Sequence, residues 1–266
     1  MYLSYISIDM HILILILLGS LNFMNRIQSL QSISAPILIG SEIYRNSSFC
    51  PGHPLAIPRV PTTIDLIKSL GWLSEEKYRS APCAKPEFLK SFHSEKYISA
   101  LMGIEKRQSV TPGEKEMFGI GTFSNPFFPS MFKRASTSVA GTVLAADLIA
   151  KGGRVYAIGG GLHHGMQGYA NGFCFLNDII FSVNRLRELG VSRIAYVDLD
   201  AHHCDGVEAG FREDESLFVV SLHEAKRWPF TGQIKDNIED RFLNIPLPRF
   251  CNDNEFKLAL EKLVFP

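Results

Sequence analysis

Two patterns of apolar residues alternate along the chain: short continuous runs, and longer stretches where apolar positions recur every three or four residues. Ala35-Pro36-Ile37-Leu38-Ile39-Gly40 reads as a first strand, and residues 63–70 carry an apolar helical face. The polar segment 74–90 contains Pro82 and Pro86 and reads as a connection. Residues 135–151 place small and aliphatic side chains at helical spacing, and Gly152-Gly153 closes them. Arg154-Val155-Tyr156-Ala157-Ile158 follows as a strand and runs into Gly159-Gly160-Gly161. The unit then recurs, with a helix over 176–189, Gly190 as its terminator and a strand over 194–199. A further strand over 216–222 stops at His223-Glu224. This alternation predicts an α/β fold with a mostly parallel sheet flanked by helices. Reactive groups then gather outside the carboxyl ends of the strands.

Composition narrows the classes. A chain of 266 residues with 46% apolar side chains can bury a full single-domain core. Its 27 basic and 27 acidic residues balance, which argues against direct nucleic-acid binding through a broad basic field. Five cysteines without a CxxC pair fit a reducing, cytoplasmic compartment, with Cys174 and Cys204 as small buried thiols. The apolar run over 12–18 lacks a basic flank, follows Asp9 and is short for a bilayer span. Residues 1–34 are therefore read as a hydrophobic leader or upstream extension, with Met24 an alternative beginning. Membrane association and export are the competing readings, and residues 35–266 form the organised domain.

The chemistry concentrates in Tyr196-Val197-Asp198-Leu199-Asp200-Ala201-His202-His203-Cys204-Asp205, at the mouth of an apolar run. A carboxylate oxygen and a neutral imidazole nitrogen two residues apart, at Asp200 and His202, suit zinc or iron(II). Catalytic zinc commonly takes three protein ligands and keeps a position open, so a further donor is expected from another loop. The competing reading is a buried polar network that stabilises a strand end. His163-His164 adds acid–base groups that titrate near neutrality. The preceding glycines lack both Walker A and dinucleotide spacing, so their role is read as positional.

Three ordered motifs, Gly160-Gly161-Leu162-His163-His164-Gly165, Gly172-Phe173-Cys174-Phe175-Leu176-Asn177-Asp178 and Tyr196 through His203, resemble the zinc-dependent histone deacetylase family. That family includes bacterial acetoin-utilisation and acetylpolyamine amidohydrolase relatives. The resemblance takes in Gly52-His53-Pro54, Arg59, Ser221-Leu222-His223-Glu224 and Thr231-Gly232. It implies an arginase-like three-layer α/β/α fold and zinc-dependent hydrolysis of an N-acetyl or N-acyl amine, such as acetyl-lysine or an acetylpolyamine. Asp200 and His202 become metal ligands, and His163 and His164 the paired histidines beside the attacking water. Asp198 would orient His163, and Asp205 would orient His164. Phe173 and Trp228, with Gly172, would flank the stem of the acylated amine; each aromatic has core filling as its plain alternative. The implied ion is zinc, with iron(II) an alternative and a structural potassium ion alongside. Ser124 falls where many members carry a rim carboxylate, and Glu224 is a candidate for attracting a cationic amine.

The family also needs a further metal-binding aspartate and a carbonyl-polarising tyrosine in its distal third. The chain reaches Pro266 before either motif, so the domain is expected to lack its distal C-terminal portion. A complementary C-terminal fragment or an oligomeric partner is the corresponding expectation. Two other functions stay open: a binuclear arginase-like ureohydrolase, and an inactive acyl-ligand binding or assembly protein.

Overall fold

The computed structural model describes residues 13–17, as backbone, and 36–265. The expectation for residues 1–34 therefore lies outside the described residues, apart from 13–17. Seven strands occur among the described residues: β1 (Leu13–Leu17), β2 (Ile37–Gly40), β3 (Tyr78–Ser80), β4 (Val155–Ala157), β5 (Ile194–Asp198), β6 (Leu217–Glu224) and β7 (Phe242–Leu247). The chain divides into two compact units, one of residues 19–192 and one of residues 1–18 with 193–266.

In the unit of residues 19–192, the sheet has the order β3-β2-β4, with both neighbours parallel to β2. Its four longest helices are α1 (Arg59–Ser69), α2 (Glu95–Arg107), α3 (Met131–Ile149) and α4 (Asp178–Glu188). Ser94 caps α2 by accepting from the Tyr97 N–H, and the helix buries Tyr97, Ile98, Leu101 and Ile104 along one stripe. Fully burying a side chain of this size contributes about 1.5–3 kcal/mol. The stripe joins Phe118, Phe128, Met131, Phe175 and Phe181 in one core, where the Tyr97 hydroxyl donates to the Phe175 carbonyl at 2.7 Å.

Helix α3 and the start of α4 meet through the Thr142 hydroxyl, which donates to the Asp178 carbonyl at 3.2 Å. Asn177 caps α4, and the left-handed Gly190 lies just past its end, as the sequence predicts. The segment 74–90, read as a connection rather than another domain, lies within this unit; β3 adds to the sheet within it and a short helix, Pro86–Leu89, follows. A three-residue edge strand with an exposed Arg79 and Ser80 carries too little alternation to be read from sequence.

In the other unit, the sheet order is β1-β5-β6-β7; β5, β6 and β7 run parallel, and β1 pairs with β5 antiparallel from Leu13 opposite Asp198 to Leu17 opposite Ile194. Every residue of β5 is buried, which explains why Ile194-Ala195-Tyr196-Val197 reads as continuous apolar sequence rather than alternation. Val197, Val220, Leu222 and Ile245 pack with Ala259 of α6 (Asp253–Ala259), which follows α5 (Asp205–Phe211) in the chain. No helix among the described residues is long and apolar enough to cross a membrane.

Candidate functional site

The glycine run after β4 is a crowded turn. A Cβ on Gly160 would stand 2.5 Å from a Thr142 methyl and 2.6 Å from a carboxylate oxygen of Asp178. The Asp178 side chain reaches back to this turn, accepting from the Gly161 N–H at 3.0 Å and the Leu162 N–H at 2.6 Å. Burial pushes the Asp178 carboxyl above its ordinary range, and these two N–H groups oppose the rise. The turn delivers His163 and His164 into the interior, both nearly inaccessible, with ring centroids 4.0 Å apart.

His93 and Asn177 hold the chain beyond the histidines. Asn177 Nδ2 donates to the Gly165 carbonyl at 3.0 Å, and the Asn177 N–H donates to His93 Nε2 at 3.1 Å. The His93 ring proton therefore sits on Nδ1, facing the Met166 and Gln167 carbonyls at 3.1 and 3.3 Å. Burial drives the His93 pKa down to about 4, so the ring is neutral near physiological pH.

The same unit carries an aromatic wall. Asn171 and Cys174 exchange both backbone hydrogen bonds, at 3.0 and 2.8 Å, around a two-residue turn formed by Gly172 and Phe173. Both central residues have positive φ, +50° at Gly172 and +69° at Phe173. This is the turn type in which asparagine and glycine are usual, and a phenylalanine there is a backbone outlier. The Phe173 ring meets His53 edge-on at 4.6 Å, and Phe49 stacks on the other side of His53 at 4.6 Å. Burial lowers the His53 pKa. Ser124 is exposed next to Phe123.

In the unit that holds β5 to β7, Asp198 closes β5. It accepts from the Asp200 N–H at 2.9 Å and from the Tyr196 hydroxyl. Asp200, itself buried, accepts through Oδ1 from the His202 N–H at 2.8 Å, and the same oxygen lies 2.9 Å from His202 Nδ1. On the far side of that ring, Arg227 Nε donates to His202 Nε2 at 3.2 Å, while Arg227 Nη1 binds Glu224 at 2.6 Å. Trp228 lies edge-on to His202 at 5.9 Å. Asp205 opens α5 and accepts the Gly206 N–H at 2.9 Å.

His203 points into a separate buried network. Its Nδ1 lies 2.8 Å from the Thr231 hydroxyl and its Nε2 3.0 Å from Glu208. Asn244 and Arg212 complete the Glu208 contacts. Burial pulls Glu208 toward protonation, but its bonds to His203 and Asn244 outweigh that and leave its pKa lowered. Gly232 has to be glycine here: a Cβ would come within 2.4 Å of the His203 ring and 2.7 Å of His223. Cys204 is fully buried, and burial raises its thiol well above the ordinary range, consistent with an inert side chain.

The predicted residues are thus brought together in two groups: His163, His164, Gly172, Phe173 and Ser124 belong to one unit, and Asp198, Asp200, His202, Asp205 and Trp228 to the other. Among the described residues no group of three or more His, Cys, Asp or Glu side chains is arranged to hold a metal ion. Asp200 and His202 carry donor types that a zinc ion takes, and here they are hydrogen-bonded to each other. They present an oxygen and a nitrogen 2.9 Å apart, the mixed donor chemistry that zinc accepts. Sequence reasoning gave no role to His93, Glu208 or Arg227, and none to the Asp178 carboxylate. His93 and the Asp178 carboxylate meet partners distant in the chain, so no local spacing announces them, whereas Glu208 and Arg227 also pair locally, with Arg212 at i+4 and with Glu224 at i−3.

Comparison with known proteins adds the family. Residues 53–266 match the histone deacetylase domain. The acetoin utilization protein AcuC of Bacillus subtilis (strain 168) is 35% identical over 230 residues, which cover 83% of this chain and 59% of that protein. Histone deacetylase RPD3 of Saccharomyces cerevisiae is 30% identical over 234 residues, covering 82% and 52%. Among solved structures, an HDAC homolog from Aquifex aeolicus superposes with a TM-score of 0.81 at 38% identity, covering 86% of this chain and 63% of that one. An HDAC homolog complexed with SAHA superposes with a TM-score of 0.82 at 38% identity, covering 87% and 64%. The chain therefore spans between half and two thirds of these relatives. With its α/β architecture and ordered histidine, turn and aspartate motifs, the chain belongs to the histone deacetylase family.

Proposed function

We propose that the protein this chain represents hydrolyses an N-acyl amine, acetyl-lysine or an acetylpolyamine being the simplest substrates, with zinc held by Asp200 and His202. The observation that carries the reading is the His163–His164 pair, buried ring against ring on a turn fastened by Asp178. Asp200 and His202 would hold the metal ion, which when bound would supply Lewis-acid polarisation of the acyl carbonyl and lower the pKa of the attacking water. His164 accepts the proton of that water and passes it to the departing amine; His163 supports the developing oxyanion by hydrogen bonding. Asp198 and Asp205 are assigned, following the family pattern, to orient His163 and His164. Phe173 and Trp228 flank the apolar stem of the substrate, with Gly172 giving Phe173 its turn and Ser124 at the rim. The products are a carboxylate and a free primary amine.

Glu224 takes no part in choosing a cationic substrate in this reading, because Arg227 neutralises it at 2.6 Å. The Glu224→Gln variant is expected to leave the turnover ratio of acetylspermidine to a neutral acetyl-lysine peptide unchanged.

Amine release from acetyl-lysine peptides and acetylpolyamines, measured with zinc added and with zinc chelated, tests the activity. Zinc-dependent release that SAHA inhibits is expected; a folded, zinc-supplied sample without release sinks the reading. His164→Ala should lower kcat by about a hundredfold or more with little change in KM, since general acid–base catalysis contributes on that scale.

A further inference from the structure

Strands β2 and β4 run side by side in parallel, with Ile39 opposite Ala157, so the chain leaving each passes the same end of the sheet. The segment leaving β4 enters the glycine turn that carries His163 and His164. The segment leaving β2 enters the short helix Ile43–Asn46, where Tyr44 is buried. A Cβ on Gly159 would stand 2.1 Å from both Cζ and the hydroxyl oxygen of Tyr44, so the ring rests directly on the backbone that opens the turn.

Helix α3 supports that contact through Arg134, Ser138 and Thr142, which recur every four residues and share one face. The Arg134 guanidinium lies over the Tyr44 ring at 4.9 Å, and its Nη1 donates to the carbonyls of Tyr44 at 3.2 Å and Ser47 at 2.6 Å. The Ser138 hydroxyl donates to the Arg134 carbonyl at 3.3 Å and therefore accepts from the Tyr44 hydroxyl at 3.2 Å. Burial pushes the Tyr44 pKa up to about 12, which keeps that hydroxyl protonated as a donor. One helical turn further on, Thr142 closes on Gly160 as Tyr44 closes on Gly159.

We propose that Tyr44, braced by Arg134 and Ser138, is a positioning residue for His163 and His164: its ring fixes where the glycine turn begins, as the Asp178 carboxylate fixes its middle. The inference rests on the reading of this histidine pair as the groups that act on the water and the acyl carbonyl. It makes their alignment a property of α3 and of the segment after β2, neither of which carries them.

The test compares full-length wild type with Tyr44→Phe, Tyr44→Ala, Gly159→Ala and the Y44A/G159A double variant. The readouts are the imidazole NMR signals of His163 and His164, and kcat and KM for an acetyl-lysine peptide with zinc supplied. Y44A should shift both histidines' signals and lower kcat about tenfold or more with KM changed less than about twofold, because small displacements of catalytic groups act on the chemical step. Y44F keeps the ring on Gly159 and should recover most of both. G159A drives a methyl into the ring and should disturb the same signals; adding Y44A should lessen that disturbance, because the colliding ring is gone. Unshifted histidine signals in folded Y44A, or additive effects in the double variant, overturn the inference. Should Y44A fail to fold, Arg134→Met keeps the ring and removes its brace, and unshifted signals there overturn it equally. A wild type that releases no amine, yet whose histidine signals move in Y44A, overturns the catalytic reading and leaves the positioning role standing.

Discussion

Asp178 shows what one side chain contributes to the placement of His163 and His164. Its two oxygens each accept one backbone N–H of the glycine turn, at 3.0 and 2.6 Å. Asp178→Asn preserves shape and removes charge, but an amide offers one oxygen and one NH2. One turn N–H then faces a donor. Leaving a buried donor unsatisfied costs about 1–3 kcal/mol, so D178N should unfold at lower urea concentration by that amount. Burial raises the carboxyl pKa while the turn N–H groups oppose the rise, and a variant as stable as wild type would mean that the clasp is not holding the turn. Little of this was legible in the sequence. The letters Asn177-Asp178 are visible at a helix start, where capping explains them fully; only the fold brings that carboxylate to Gly161 and Leu162.

Some elements were legible from their own apolar pattern and others were not. The helix predicted over 176–189 appears as Asp178–Glu188 through its spaced apolar face, and the strand predicted over 194–199 as Ile194–Asp198 through its continuous apolar run. Helix α2 and strand β7 were not read, although α2 has a capping serine and a clear apolar stripe. The turn of Gly172 and Phe173 is the opposite case, because nothing in Asn171-Gly172-Phe173-Cys174 requires a phenylalanine at φ +69°. An L-residue in the left-handed region costs roughly 1–2 kcal/mol relative to glycine. Phe173→Gly and Phe173→Ala both delete the ring that meets His53, so their difference isolates the backbone. F173G should be more stable than F173A by about 1 kcal/mol in urea denaturation. Equal stabilities would show that the turn does not hold residue 173 left-handed. Acyl-ligand binding should weaken in both, which separates the ring's role from that of the turn.

Across the chain as a whole, 27 acidic and 27 basic residues cancel, so the response to mild acid falls to individual buried groups rather than to net charge. His93 is one such group. It ties its own segment to the carbonyls of Met166 and Gln167 and to the start of α4 at Asn177, and its acceptor Nε2 works only in the neutral ring. Its folded pKa of about 4 lies below the ordinary 6.5, so the unfolded chain takes the proton more readily than the folded one. The contribution is therefore complete above pH 6.5 and is lost as pH falls toward 4. A single histidine shifted this far costs about 2 kcal/mol by pH 5 and about 3 kcal/mol by pH 4. His53 and His223 are lowered too, chiefly by burial, and add to the same slope. His93→Gln removes this contribution, so its unfolding free energy should start lower at pH 7 and then fall less steeply between pH 6.5 and 4 than that of wild type. Parallel slopes for the two proteins would mean that proton uptake at His93 does not govern acid unfolding, and that the loop carrying His163 and His164 owes its acid response to other groups.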